Sequence, residues 1–116
     1  MRSNIQCGLA VFREGNFCIG RVRILSVKAD ELGIGFELKP ISGRLPKEVF
    51  SIYGAWEIIS ESANSIHGCY LNWTLLHEPA AVARYCAATK GMRNKEKLLQ
   101  AFREVDREPR LPIIGE

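Results

Sequence analysis

The rhythm of the apolar residues changes at Pro79. Ahead of it, apolar side chains recur at every second position between Gly, Asn and Pro breaks; behind it come an Ala-rich segment and one with apolar residues at helical spacing. Period two is the signature of strands with one buried face, and a period near 3.6 that of amphipathic helices. The order predicts an α+β fold: five antiparallel strands, curled into a bent sheet or small SH3-like barrel, then two C-terminal helices. With 116 residues, 47% of them hydrophobic and 25% charged, the chain suits a single domain over 1–116 with its sheet in residues 5–76.

The first strand is expected from Ile5 to Phe12, with Ile5, Cys7, Leu9 and Val11 facing in. A two-residue Glu14-Gly15 turn would lead into a second strand from Phe17 to Val27. That register pairs Val11 with Cys18 and Cys7 with Val22, and leaves Arg21 and Arg23 on the outer face with Phe17, Ile19, Leu25 and Val27. This outer face is too apolar to be left wet, so a cover is expected over it. The third strand, Gly33 to Lys39, should bury Ile34, Phe36 and Leu38, expose Glu37 and Lys39, and end at Pro40, with Arg23 and Glu37 paired outside. Residues 40–54 read as irregular, with a short helical turn from Lys47 to Tyr53. A second hairpin, Ala55 to Ala63 and Ile66 to Leu75, is expected around Asn64-Ser65. It would pair Trp56 with Trp73, Ile58 with Leu71 and Ser60 with Cys69, and turn Glu57 and Glu61 outward.

Pro79 suits the first turn of a helix and Gly91 the position past its end, which gives a helix over about 79–90. Its Val82, Tyr85, Cys86 and Thr89 form one stripe opposite an Ala-rich side. So weakly charged a helix is expected to lie between sheet and last helix, or to cover a subunit contact. The last helix, about 94–108, carries Leu98, Leu99, Phe102 and Val105 as its core stripe. Pro109 and Pro112 hold the tail 109–116 extended, free to fray, fold back on the domain or join a neighbour.

The net charge of +3 is local. Residues 90–110 hold Lys90, Arg93, Lys95, Lys97, Arg103, Arg107 and Arg110 against Glu96, Glu104, Asp106 and Glu108. A cationic end of this kind meets nucleic acid or an acidic partner. No secretory leader is legible, since the apolar stretch from Cys7 stops at Arg13, and no run reaches the ~18 residues of a membrane span. The expectation is a cytoplasmic protein. Cys7, Cys18, Cys69 and Cys86 lack C-x-x-C spacing and read as free, mostly buried thiols.

No catalytic, cofactor or metal motif stands out. His67 and Cys69 share one strand face with His77 farther along, but metal-ligand spacing is missing. Along an extended strand His67 and Cys69 stand about 6–7 Å apart, too far for a nucleophile–base hydrogen bond without side-chain reach. Gly33 and Gly35 head a strand, so they make no phosphate loop. The sequence therefore predicts a non-enzymatic binding or interaction domain, self-associating or acting on a protein, without cofactor or membrane. Tyr70, His67 and His77 are its candidate ligand residues. The alternatives are a nucleic-acid module using Arg21, Arg23, Lys39, Lys90, Arg93 and Lys95, and a small enzyme with a pocket around His67, Cys69 and His77.

Overall fold

The computed structural model describes residues 5–30, 33–43, 45, 49–52, 58–68, 72–107 and 111–112. Strands β1 (Gly8–Glu14), β2 (Cys18–Asp30), β3 (Gly33–Gly43) and β4 (Phe50–Ile52) form one antiparallel meander. Strands β5 (Ile58–Glu61), β6 (Ser65–Gly68) and β7 (Trp73–Leu76) form a second. Pairing of β1 with β7 joins them, and β8 (Leu111–Pro112) lies against β5. The spatial order is β4-β3-β2-β1-β7-β6-β5-β8, followed in sequence by helices α1 (Pro79–Ala88) and α2 (Lys95–Val105). The α+β architecture is as the periodicities predict.

The sheet is strongly curled. In a flat sheet, β1 and β4 would lie three strand spacings apart, about 14 Å. Yet the rings of Phe12 and Phe50 meet edge to face with centroids 5.2 Å apart. The concave face closes on itself, burying Ala10, Phe12, Val22, Ile24, Phe36, Leu38, Ile66, Trp73 and Leu75. The convex face is covered at one end by the two helices, where Val11, Ile19 and Leu76 pack against Val82, Tyr85, Leu99 and Phe102. One sheet thus separates two hydrophobic cores.

The first hairpin departs from its expected register. Glu14 faces Cys18 across a three-residue Gly15–Phe17 loop, so Val11 opposes Arg21 and Ala10 opposes Val22. Even residues of β1 therefore face the concave core and odd ones the convex side, which leaves Leu9 and Cys7 exposed. The expectation failed because it required each face to be wholly wet or wholly dry. Here the helices dry only half of the convex face: Val11 is enclosed, while Arg21 stays in water two strand positions from Ile19, which is fully buried.

Two irregularities in the β2–β3 pairing, between Arg21 and Val22 and between Ile24 and Ser26, make further corrections. An extra residue at Leu25 flips the parity of β2, so that Val27 packs against the concave core with Ile24. The expected apolar outer face is consequently dispersed, since Ile19 lies under the helices, Val27 lies inside, and Phe17 is 80% exposed at the hairpin tip. Arg23 faces Lys39 rather than Glu37, whose carboxylate accepts from Ser26 Oγ at 3.2 Å. β3 continues through Pro40 to Gly43, because its second edge is paired only from Phe36 to Leu38 and an imide nitrogen costs no ladder bond beyond that. Ile34, Phe36 and Leu38 are buried and Glu37 and Lys39 exposed, as expected. Phe50–Ile52 is a strand, not a helical turn.

The expected second hairpin is a three-stranded meander, since Ile66–Leu75 divides into β6 and β7, with Asn72 at φ 50 ahead of β7. Ile58 faces Gly68 and Ser60 faces His67, in place of Leu71 and Cys69. The turn is made by Ser62, whose hydroxyl accepts from the amides of Asn64 and Ser65 while its own amide donates to Ser65 O. That loop shifts the register and sets Glu61 opposite Ile66, so Glu61 is buried rather than outward. Trp73 lies opposite Glu14 of β1; Trp56, Glu57, Cys69 and Leu71 fall outside the described residues.

Helix α1 starts with Pro79 at its first position behind Glu78, whose side chain accepts from the Ala81 amide at 2.8 Å. Asn94 caps α2 in the same way through the Lys97 amide. The stripe of α1 packs against β1 and α2, and its Ala80, Ala83, Ala87 and Ala88 face outward. The far end of α2 is pinned to β6 by Ser65 Oγ donating to Asp106 Oδ1 at 2.6 Å. Of the tail, Leu111–Pro112 folds back on β5 as β8.

Candidate functional site

Three of the basic residues singled out in the sequence surround one cleft. It lies between the β2–β3 backbone and the turn joining α1 to α2, and has a volume of about 600 Å³. Arg21 comes from β2, and Lys90 and Arg93 from the turn. The β-sheet side supplies Gly20, Ser42 and Gly43; the helices supply Tyr85, Met92 and Leu98. Among the described residues no carboxylate lines this cleft.

Local structure explains the cleft. Gly20 and Gly43 are register partners at the β2–β3 irregularity. Gly43 has φ +100, and a Cβ there would stand 2.6 Å from Gly20 Cα. Only glycine permits this close backbone approach, which holds β2 and β3 together at the edge of the cleft. Arg21 Nε donates to Ser42 Oγ at 2.7 Å, which orients the guanidinium, and its two terminal nitrogens make no hydrogen bond among the described residues. Behind it the buried Tyr85 phenol is pushed up to about 12, by burial first and by Cys86 next, with Arg21 opposing. The phenol is therefore neutral and adds no negative charge.

The cationic surface continues outside the cleft. Leu9, Arg23 and Lys39 form one row across β1, β2 and β3 on the part of the convex face beyond the helices. Arg23 and Lys39 are directly opposite each other, and Arg21 is two positions along β2. Like charges facing across strands repel and weaken the pair. Among the described residues, none of Arg21, Arg23, Lys39, Lys90 and Arg93 forms an ion pair. Lys95 lies elsewhere, at the start of α2 within electrostatic range of Cys18, and does not line the cleft.

The histidines do not converge. His67 Nδ1 is 3.0 Å from Thr74 Oγ1, which also accepts from Arg13 Nη2 at 3.2 Å; Arg13 stacks on the Phe102 ring at 5.3 Å. This layer ties the sheet to α2. His77 lies ahead of α1, beside a second cleft of about 510 Å³ lined also by Cys7, Leu9, Glu78, Val82 and Cys86. Burial lowers its pKa to about 4, so its ring is neutral at pH 7, and Nε2 makes no hydrogen bond among the described residues. Tyr70 and Cys69 fall outside the described residues. Among the described residues no group of His, Cys, Asp and Glu is arranged to hold a metal ion, and Cys7, Cys18 and Cys86 are free. Burial, then the Glu14 charge, raises the Cys18 thiol, which donates to Glu14 Oε1 at 3.7 Å and is thereby a poor nucleophile. Among the described residues no helix is long and apolar enough to cross a membrane.

Ser42, Gly20 and Gly43 were not legible as site residues. Their role depends on which residues oppose each other across β2 and β3, and two irregularities in that pairing hide it from the sequence. Comparison with protein families, curated proteins and solved structures finds no match to this chain.

Proposed function

We propose that the protein is a non-enzymatic binding domain that holds a nucleic-acid strand on the uncovered part of its convex sheet face. One observation carries this reading: Arg23 and Lys39 face each other across neighbouring strands, with Arg21 beside them and no ion pair to any of the three among the described residues. A row of phosphates would relieve that repulsion, and Leu9 in the same row offers an apolar contact to a sugar or base. Self-association through this face is less favourable, because a two-fold contact would bring the Arg21, Arg23 and Lys39 of one copy near those of the other.

The test is anisotropy of a labelled single-stranded oligonucleotide between 50 and 200 mM salt. Engagement of about three phosphates, one for each of these cations, predicts a log–log slope near −2. Arg23→Gln should weaken binding about tenfold and make the slope shallower by about 0.7. Absence of binding at low salt would end the proposal. Light scattering on the same samples separates strand binding from dimer formation.

A further inference from the structure

Beyond the open face, we infer that the cleft between the Gly20–Gly43 pair and the α1–α2 turn is a binding site for a phosphate monoester on a ring-bearing group of nucleotide size. The inference deepens the nucleic-acid reading and rests on it where the monoester is the end of a strand. Two guanidinium-bearing side chains and an ammonium-bearing one line a cleft that has no carboxylate among its described residues. Guanidinium forks match phosphate oxygens two at a time. A monoester carries close to two negative charges at pH 7, which suits three cations better than the single charge of a carboxylate or phosphodiester. Arg21 is already oriented through Nε on Ser42 Oγ, so its terminal nitrogens can bind with little further ordering.

The rest of the cleft fits the remainder of such a ligand. Its volume of about 600 Å³ lies within the range of small-molecule sites. Met92 and Leu98 give it an apolar wall for a flat ring, and Met92 is exposed and adaptable. Gly43 at φ +100 has no room for a side chain, because a Cβ there would meet the backbone of Gly20 and Ile19, so β2 and β3 stay close at this edge of the cleft. A free mononucleotide and the phosphorylated end of a strand present the same chemistry here.

The experiment uses adenosine monophosphate and a ten-nucleotide strand bearing either a 5′-phosphate or a 5′-hydroxyl, titrated into the full chain and into Arg93→Gln, Lys90→Gln and Arg23→Gln. Adenosine monophosphate should bind, with affinity lowered at least tenfold by R93Q or K90Q and less than twofold by R23Q. Tighter binding of the 5′-phosphorylated strand, lost in R93Q, identifies the strand end as the source; equal binding of the two strands with mononucleotide binding retained identifies the free nucleotide. Strand binding with neither mononucleotide binding nor a 5′-phosphate preference overturns the cleft site and leaves the proposed function standing. Mononucleotide binding without strand affinity overturns the proposed function and supports the cleft. Mononucleotide binding that R93Q and K90Q leave unchanged also overturns it.

Discussion

Single residues in this protein take their properties from which side of the curled sheet they reach. His77 is the clearest case. Its ring is 9% exposed, and burial holds its pKa near 4 against an ordinary 6.5. At neutral pH the folded ring is uncharged and the unfolded one largely so. As pH falls from 6.5 to 4, the unfolded state takes up a proton that the folded state refuses, so stability drops with pH across this window. The gap corresponds to about 3 kcal/mol once pH reaches 4. His77→Gln removes this dependence: urea unfolding of H77Q should lose about 2–3 kcal/mol less than the parent between pH 7 and pH 4. Parallel pH curves for the two proteins would show that the ring is solvated. Thiol chemistry follows the same logic at Cys18, where burial and Glu14 both disfavour the thiolate.

Among the elements, the β2–β3 pair decides the most. Both strands are long, and their two irregularities bring the sheet round on itself and switch the face of Val27. Gly43 sits at one of them, opposite Gly20. Gly43→Ala would force a side chain into a left-handed backbone position and against the neighbouring strand, at a cost of about 2 kcal/mol or more. Thermal melting should show a lower Tm together with loss of mononucleotide binding. A G43A protein of unchanged Tm would mean that the two strands are not this close. The register was hidden for a related reason. Strict alternation in Gly33–Lys39 correctly places Ile34, Phe36 and Leu38 inside. It misplaces Val27 because one inserted residue reverses every later face. At the β5–β6 turn the dipeptide Asn64-Ser65 was a weaker cue than the Ser62 hydroxyl, which captures two amides.

The whole molecule is a sheet between two cores, and α2 seals the convex one. Phe102 is 1% exposed, meets Tyr85 edge to face at 6.1 Å and carries the Arg13 guanidinium on its other contact. Phe102→Ala should cost about 3–5 kcal/mol in urea unfolding. The concave core, which contains no helix residue, should remain the more protected one in hydrogen exchange of the variant. Equal loss of protection on both faces would show that the cores do not differ in stability.

The sequence by itself determined the α+β class, the order of a sheet followed by two helices, and a first helix that starts at Pro79 and ends short of Gly91, because periodicity and capping are local chemistry. It also singled out Arg21, Arg23, Lys39, Lys90, Arg93 and Lys95 as the cations of an alternative nucleic-acid module. What brought three of them to one cleft was tertiary: the convex face is only half covered, and strand irregularities choose which residues oppose each other. A bulge or an extra loop residue adds little to local propensity yet reverses the facing of a strand, so only the folded sheet fixes where those charges meet.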